Sequence, residues 1–243
     1  MSQPSVNITQ RDGALGVLPS SSGKIFALVG VSSTGTANVP ATYARVPALT
    51  ASLGTGPLVE AAARHIQRTG KPVLVVKTAA ATNVGAYGTP VDGITGTSNV
   101  TFDTDYDPFD DYDFVFTVVT GGTIGTAGIT YKYSTDGGLS YSPVTALGTA
   151  NALAIAAYNI GLDFGAGTLV AADTISVRCS APRWDDTELL AALNALKASL
   201  VAWDLVYVVG DVGATSAGVI ETWSQGLASS GRYRGYLCNT RLP

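Results

Sequence analysis

Lys24-Ile25-Phe26-Ala27-Leu28-Val29-Gly30-Val31 decides the fold. Its apolar residues are consecutive, which is the pattern of a strand buried on both faces. Downstream, Gly56-Pro57 opens a helix that ends at Gly70, and Pro72-Val73-Leu74-Val75-Val76-Lys77 reads as a second buried strand. Pro57 suits the first helical position, where a missing N–H costs nothing. Leu58, Ala62, His65 and Ile66 fall on one helical face, with Glu60, Arg64 and Arg68 elsewhere. A strand-helix-strand unit of this kind usually places a ligand at the carboxyl end of its first strand. Here that end reads Gly30-Val31-Ser32-Ser33-Thr34-Gly35-Thr36-Ala37-Asn38-Val39-Pro40, small and polar, with no acid, base or metal ligand. The pattern points away from an enzyme and toward a scaffold. His65, the only histidine, has no acid or serine signature beside it and reads as a packed or interfacial residue.

The same α/β texture returns at Asp185. Asp185 or Asp186 caps a helix with Glu188 in its first turn. Leu189, Leu193, Leu196 and Leu200 form its apolar stripe. Asp204-Leu205-Val206-Tyr207-Val208-Val209-Gly210 is a third buried strand. Thr215 or Ser216 starts another helix, with Val219, Ile220, Trp223 and Leu227 inward, and Gly235-Tyr236-Leu237-Cys238-Asn239-Thr240 is a fourth strand. The loop Gly210 to Ser216 lacks lysine and arginine, so capping by Thr215 or Ser216 explains it better than anion binding.

Residues 83–182 differ. Residues 83–100 are rich in Gly, Thr, Ser and Asn. Asp103, Asp105, Asp107, Asp110, Asp111 and Asp113 follow, interleaved with aromatics; without the glycine and distal glutamate of a calcium loop, they read as a solvated edge. Phe114 to Thr120 is a strand, Ile129 to Ser134 and Leu139 to Tyr141 flank a Thr135-Asp136-Gly137-Gly138 turn, and Leu153 to Phe164 contains another strand. Thr174 to Cys179 alternates cleanly. Short strands with glycine turns indicate an antiparallel β domain. Ser134 to Tyr141 resembles the Asp-box hairpin of sialidase-like propellers, but one copy makes no propeller and the box only shapes a turn.

The fold class is therefore α/β (α+β overall), an open sheet with flanking helices interrupted by an inserted antiparallel β domain. The expected organisation is an arm and linker at 1–23, a discontinuous α/β core at 24–82 and 183–243, and a sandwich- or barrel-like insertion at 83–182. In the arm, Val6 and Ile8 alternate with Asn7 and Thr9. Glycines and Pro19 then deny this short strand a local partner, which leaves two readings: a frayed terminus, or a candidate inter-subunit site in which Val6, Asn7, Ile8 and Thr9 pair with another copy's sheet edge.

Composition agrees with a scaffold. Charged residues make up 13% of the 243, against roughly 25% in an average soluble domain, which fits either a surface covered by neighbours or a Gly-, Ala-, Thr- and Ser-rich β protein that uses neutral polar groups. The net charge of -4 and the lack of a basic run exclude a nucleic-acid footprint. No apolar window has transmembrane length, and Met1 to Ser5 carries no basic or apolar signal-peptide feature. Cys179 and Cys238, each in a strand-like run, read as free thiols.

Phe26 to Gly35, then Asn38-Val39-Pro40 leading into a polar loop, then a helix over Glu60-Ala61-Ala62-Ala63 and the strand Lys71 to Lys77, resemble contractile phage tail sheath proteins. The stretch after Asp185 is similar, while the insertion, including Phe164 to Thr174, looks like a variable β domain of phage structural proteins. The resemblance covers about 140 residues in two pieces. It implies a non-enzymatic subunit with no cofactor or metal, assembling in the host cytoplasm into the virion tail. Its partners would be copies of itself, a tail tube protein, and baseplate and tail terminator proteins, with no direct nucleic-acid contact and no membrane insertion. The family's further C-terminal domain has no counterpart before Pro243, which implies a fragment or a shortened relative. The competing readings are a small-molecule-binding α/β enzyme and a carbohydrate- or receptor-binding β module on a carrier domain.

Overall fold

The computed structural model describes residues 25–229 and 234–240. Its first strand, β1 (Ile25–Gly30), sends alternate side chains to opposite faces, and both faces are covered. The first core segment continues with β2 (Pro40–Tyr43), α1 (Val46–Leu53), α2 (Pro57–Thr69) and β3 (Val73–Lys77). Leu28, Val73 and Val75 pack under α1 and α2 with Leu49, Leu58, Ala62 and Ile66. Ala27, Val29, Leu74 and Val76 face the opposite way, into a separate apolar cluster.

That second cluster is completed by the chain's last elements. Between the two core segments run β4 (Ala86–Tyr87), β5 (Val91–Gly93), β6 (Val100–Asp103), β7 (Tyr112–Thr120), β8 (Gly122–Thr123), β9 (Thr130–Ser134) and β10 (Thr145–Ala146). They are followed by β11 (Ala152–Ile155), β12 (Ile160–Phe164), β13 (Thr168–Leu169) and β14 (Thr174–Ser180). The core resumes with α3 (Asp186–Ala198), β15 (Trp203–Val212), α4 (Ala214–Ala228) and β16 (Gly235–Thr240). Leu189, Leu193, Leu196, Ile220, Trp223 and Leu227 press α3 and α4 onto the sheet face carrying Ala27 and Val29. The five-stranded sheet has the order β16-β15-β1-β3-β2. All its pairings are parallel except that of β2, which runs antiparallel on β3. The expected α/β class, an open sheet flanked by helices and interrupted by an antiparallel insertion, is the observed one.

In the insertion, β7 lies between β14 and β9, and β11-β12-β6 forms a second sheet. Phe114, Phe116 and Val118 of β7 share one apolar cluster with Ile160, Leu162 and Phe164 of β12. The segment leaves and rejoins the core at one place, because the Arg183 N–H donates to the Asn83 carbonyl at 2.8 Å. Closely spaced ends are what an insertion requires.

Four local expectations are corrected. Residues 40–53 are not only a polar loop, since they hold β2 and α1. Leu139 to Tyr141 is not the second hairpin strand; β9 pairs instead with β10. Leu200 does not join the stripe of α3, because that helix ends at Ala198 and Leu200 is fully exposed. Neither Thr215 nor Ser216 caps α4: Gly213 occupies that position without a side-chain hydrogen bond. At α3 the expected cap is present. The Asp185 carboxylate accepts from the Glu188 N–H at 2.8 Å, and Glu188 accepts from the Asp185 N–H at 2.9 Å.

Candidate functional site

Ser32, Ser33 and Thr34 follow β1 where such a sheet would hold a ligand. Their polar groups are engaged within the protein. Ser33 N–H donates to the Thr55 carbonyl at 2.8 Å, and Thr55 N–H returns to Ser33 Oγ at 2.9 Å. Thr34 N–H reaches the Leu53 carbonyl at 3.2 Å. Lys77 Nζ bonds the carbonyls of Thr34 and Gly35 at 3.1 and 3.2 Å. Burial holds the Lys77 pKa below its ordinary value. The loop is thus a clasp joining β1, β3 and the α1–α2 turn.

The insertion closes the crevice from above. Gly56, the residue before α2, has φ +122°, and a Cβ there would stand 3.2 Å from Ser32 Cα and 3.4 Å from the Phe109 carbonyl oxygen. Only glycine accepts both that φ and that approach. Across the crevice, Trp184 Nε1–H donates to the Val209 carbonyl at 2.8 Å. Between Val31, Pro57, Trp184 and Gly210 a cavity of about 60 Å³ remains, and beside it, between Pro57, Glu60, Arg64, Asp110 and Tyr207, one of about 220 Å³; both are below the roughly 300–1,000 Å³ of a ligand pocket.

Asp110 is the buried charge of this junction, 8% exposed. Burial pushes its pKa up to about 6, helped by the charges of Glu60 and Asp111 and opposed by the backbone N–H groups of Asp111 and Gly56. An acid with a raised folded-state pKa favours the fold when protonated. Its stabilising contribution is complete below the unfolded value near 3.9 and is lost as pH rises through about 6. Asp110→Asn should therefore raise stability at pH 7 by on the order of 1–2 kcal/mol and flatten the pH dependence between 4 and 6. Urea unfolding across that range checks it; an unchanged slope contradicts the buried-charge account.

His65 stacks on Phe26 at 4.9 Å between ring centroids, and burial, then the Lys71 charge, lower its pKa. It is a packed histidine. Asp136 accepts from Ser134 Oγ at 2.6 Å and Ser140 N–H at 2.9 Å, and these hydroxyl and amide donors hold its pKa down to about 2. It shapes a turn, as the Asp-box pattern implies. Asp105, Asp111 and Asp113 are exposed, and among the described residues no group of three His, Cys, Asp or Glu side chains is arranged to hold a metal ion. Cys179 is buried and Cys238 half-buried, both as free thiols. No helix among the described residues is long and apolar enough to cross a membrane. The candidate arm residues Val6, Asn7, Ile8 and Thr9 lie outside the described residues.

The sheet edges are unequal. β2 is four residues long and begins with Pro40, a short edge of the kind that discourages pairing. β16 is six residues long, and among the described residues no strand pairs with its outer side. Its Leu237 is half exposed. Neither edge was singled out from the sequence, because edge position depends on strand order.

The chain is similar to a sheath tail protein from Listeria innocua, with 12% identity and a TM-score of 0.41 over 89% of this chain and 48% of that one. A sheath tail protein from Desulfitobacterium hafniense gives 12% identity and a TM-score of 0.48 over 96% of this chain and 52% of that one. The chain thus spans about half the length of these two structures. No curated protein matches it. One family does, over residues 3–243, nearly the whole sequence: the chain belongs to the family described as DUF2586, N-terminal domain.

Proposed function

We propose that this chain is a structural subunit of a contractile phage tail sheath, assembling in stacked rings around a tail tube and contracting to drive injection. The observation that carries the reading is the filled crevice. Ser33, Thr55, Phe109 and Trp184 occupy the position where an α/β enzyme would hold its substrate. The sequence resemblance and the low charge content support the same reading. So does the outer edge of β16, which offers backbone groups to an added strand.

In this account Val6, Asn7, Ile8 and Thr9 of one copy add to a neighbour's β16 by strand augmentation. Residues 10–23 form the linker, 24–82 and 183–243 the core domain, and 83–182 an inserted domain projecting outward, clear of the ring contacts. Contraction does work only through the free-energy difference between the contacts of the long and short states, with each core moving nearly as a rigid body. The partners are further copies, the tube protein, and baseplate and terminator proteins at the ends. The place of action is the virion tail, assembled in the host cytoplasm. Sedimentation velocity over a concentration series tests the reading. Species far above the 24.8 kDa monomer, growing with concentration, are expected; a monomer at every concentration contradicts it.

A further inference from the structure

A cleft of about 260 Å³ lies in the insertion, where the loop after β9 meets the turn from β11 to β12. Tyr133 of β9, Tyr141 of that loop and Tyr158 of that turn line it, together with Thr135, Ser142 and Pro143. No carboxylate, amine, guanidinium or imidazole lines it. Tyr141 is 43% exposed, and Tyr133 and Tyr158 are half-buried, so the cleft is open to solvent. The hydroxyls of all three tyrosines and of Thr135 make no hydrogen bond among the described residues.

The walls are held in place by other groups. Asp136 accepts from Ser134 Oγ at 2.6 Å and from Ser140 N–H at 2.9 Å, and Gly138 N–H donates to Ser134 Oγ at 2.8 Å. Tyr133 N–H donates to Ser142 Oγ at 3.0 Å, and Ser142 N–H to the Tyr133 carbonyl at 2.8 Å. Lys132 Nζ stands 4.1 Å from the centroid of the Tyr141 ring, which pins that ring. Tyr158 is fixed by edge contacts with Tyr133 and Tyr112, at 6.1 and 5.2 Å between centroids. Gly138 has φ +93°, and a Cβ there would stand 3.0 Å from the Tyr141 hydroxyl, so the turn is shaped around that group. Aromatic groups held in this way bind without a large ordering cost.

The lining selects the chemistry of the ligand. A charged group entering the cleft would lose hydration and meet no counter-charge on its lining. Tyrosine rings offer apolar faces, while phenol and threonine hydroxyls both donate and accept. A neutral sugar ring matches both, with C–H groups on its faces and hydroxyls around its rim. The cleft is smaller than one that encloses a drug-sized molecule, so it suits a single ring with the rest of the ligand left in solvent. We propose that the cleft of Tyr133, Tyr141 and Tyr158 binds one ring of a neutral saccharide, stacked on tyrosine and hydrogen-bonded by the phenol and Thr135 hydroxyls. This binding role adds to the scaffold role and does not depend on it, since every residue of the site belongs to one copy.

Glycan binding by the full-length chain tests it. The protein is passed over immobilised maltotriose, cellotriose, chitotriose and sialyllactose, and the best-retained sugar is then titrated calorimetrically. Retention of at least one of the three neutral sugars is expected. Tyr141→Ala should weaken that binding by roughly tenfold or more, because a tyrosine anchor carries much of such an interface. The pair Tyr133→Phe with Tyr158→Phe keeps both rings and should also weaken it, whereas Leu139→Ala, in the same loop but outside the lining, should not. Circular dichroism and thermal melting of each variant confirm that the fold is kept. Retention of no sugar, or of sialyllactose alone, overturns the proposal. So does neutral-sugar binding that folded Tyr141→Ala and the phenylalanine pair leave unchanged. A monomer in sedimentation that still binds the sugar would contradict the assembly reading and leave this site standing.

Discussion

A chain lacking residues 1–20 is expected to fold and to stop assembling. Among the described residues, both apolar clusters of the core are built from Ile25 onward, and the insertion has its own, so the truncated chain keeps these three clusters. What it loses is the segment Val6-Asn7-Ile8-Thr9, whose alternation suits an added strand. Two buried aliphatic side chains and a few backbone hydrogen bonds amount to about 3–5 kcal/mol at each contact, after allowance for ordering a free arm. At 1.4 kcal/mol per factor of ten, that lowers the affinity of each contact by about two to three and a half orders of magnitude. A polymer that repeats the contact in every subunit should disappear. Sedimentation, with circular dichroism and thermal melting as controls on the fold, reads the outcome. Polymers of unchanged size would remove the arm from the account.

The second large effect is expected within the insertion. Asp173, 1% exposed, sits at the start of β14 and accepts four hydrogen bonds. They come from Thr95 N–H at 2.8 Å, Thr95 Oγ1 at 2.6 Å, Gly96 N–H at 3.3 Å and Val170 N–H at 2.8 Å. The carboxylate therefore ties the loop after β5 to the β13–β14 turn. Asp173→Ala leaves those donors unpaired, at a cost of about 2–4 kcal/mol. For a unit near 100 residues this lowers the melting temperature by on the order of 10–20 °C. Burial alone would raise the Asp173 pKa, but the donors from Thr95, Val170 and Gly96 outweigh it and hold the pKa below the ordinary value. An acid with a depressed folded-state pKa stabilises above its unfolded value, and that contribution is lost as pH falls below about 4. Wild type should lose stability in that window and Asp173→Ala should not lose this part of it. Scanning calorimetry at neutral and acid pH checks both statements. A melting temperature unchanged by the substitution would show that the loop is held by other contacts.

The two carboxylates show why part of the site was legible in the sequence and part was not. Asp110 and Asp173 carry opposite shifts, yet in the sequence both are aspartates in polar, glycine-rich or acidic surroundings. Asp110 stands in an apparently solvated run, and it is buried at the junction where the Gly56 backbone N–H and the Glu60 charge reach it. Contacts between residues 50 or more positions apart leave no local pattern. The buried strands did leave one. Unbroken Val and Leu runs at β1, β3 and β15 require cover on two faces, and the amphipathic helices between them supply it. The short β2 leaves no clear pattern, because one face of an edge strand is half exposed and Pro40 has the character of a loop residue. With Val46, Leu49 and Leu53 at helical spacing, α1 carried a readable signal that the surrounding Thr, Ser and Gly residues masked. The hairpin after β9 is hidden in the sequence because the Ser134–Asp136–Ser140 network occupies residues with the pattern of a second strand. The filled crevice was half legible. A loop of serines and threonines announced that catalytic groups were missing, but only the fold places Thr55, Phe109 and Trp184 in the vacant position.

The central claim is that this chain's function is carried by contacts with its own copies. Negative-stain electron microscopy of the purified full-length protein tests that claim most directly. The account predicts rings or tubes with a regular axial striation, made of the protein alone. A field of separate, single globules at concentrations where sedimentation shows no larger species would contradict it.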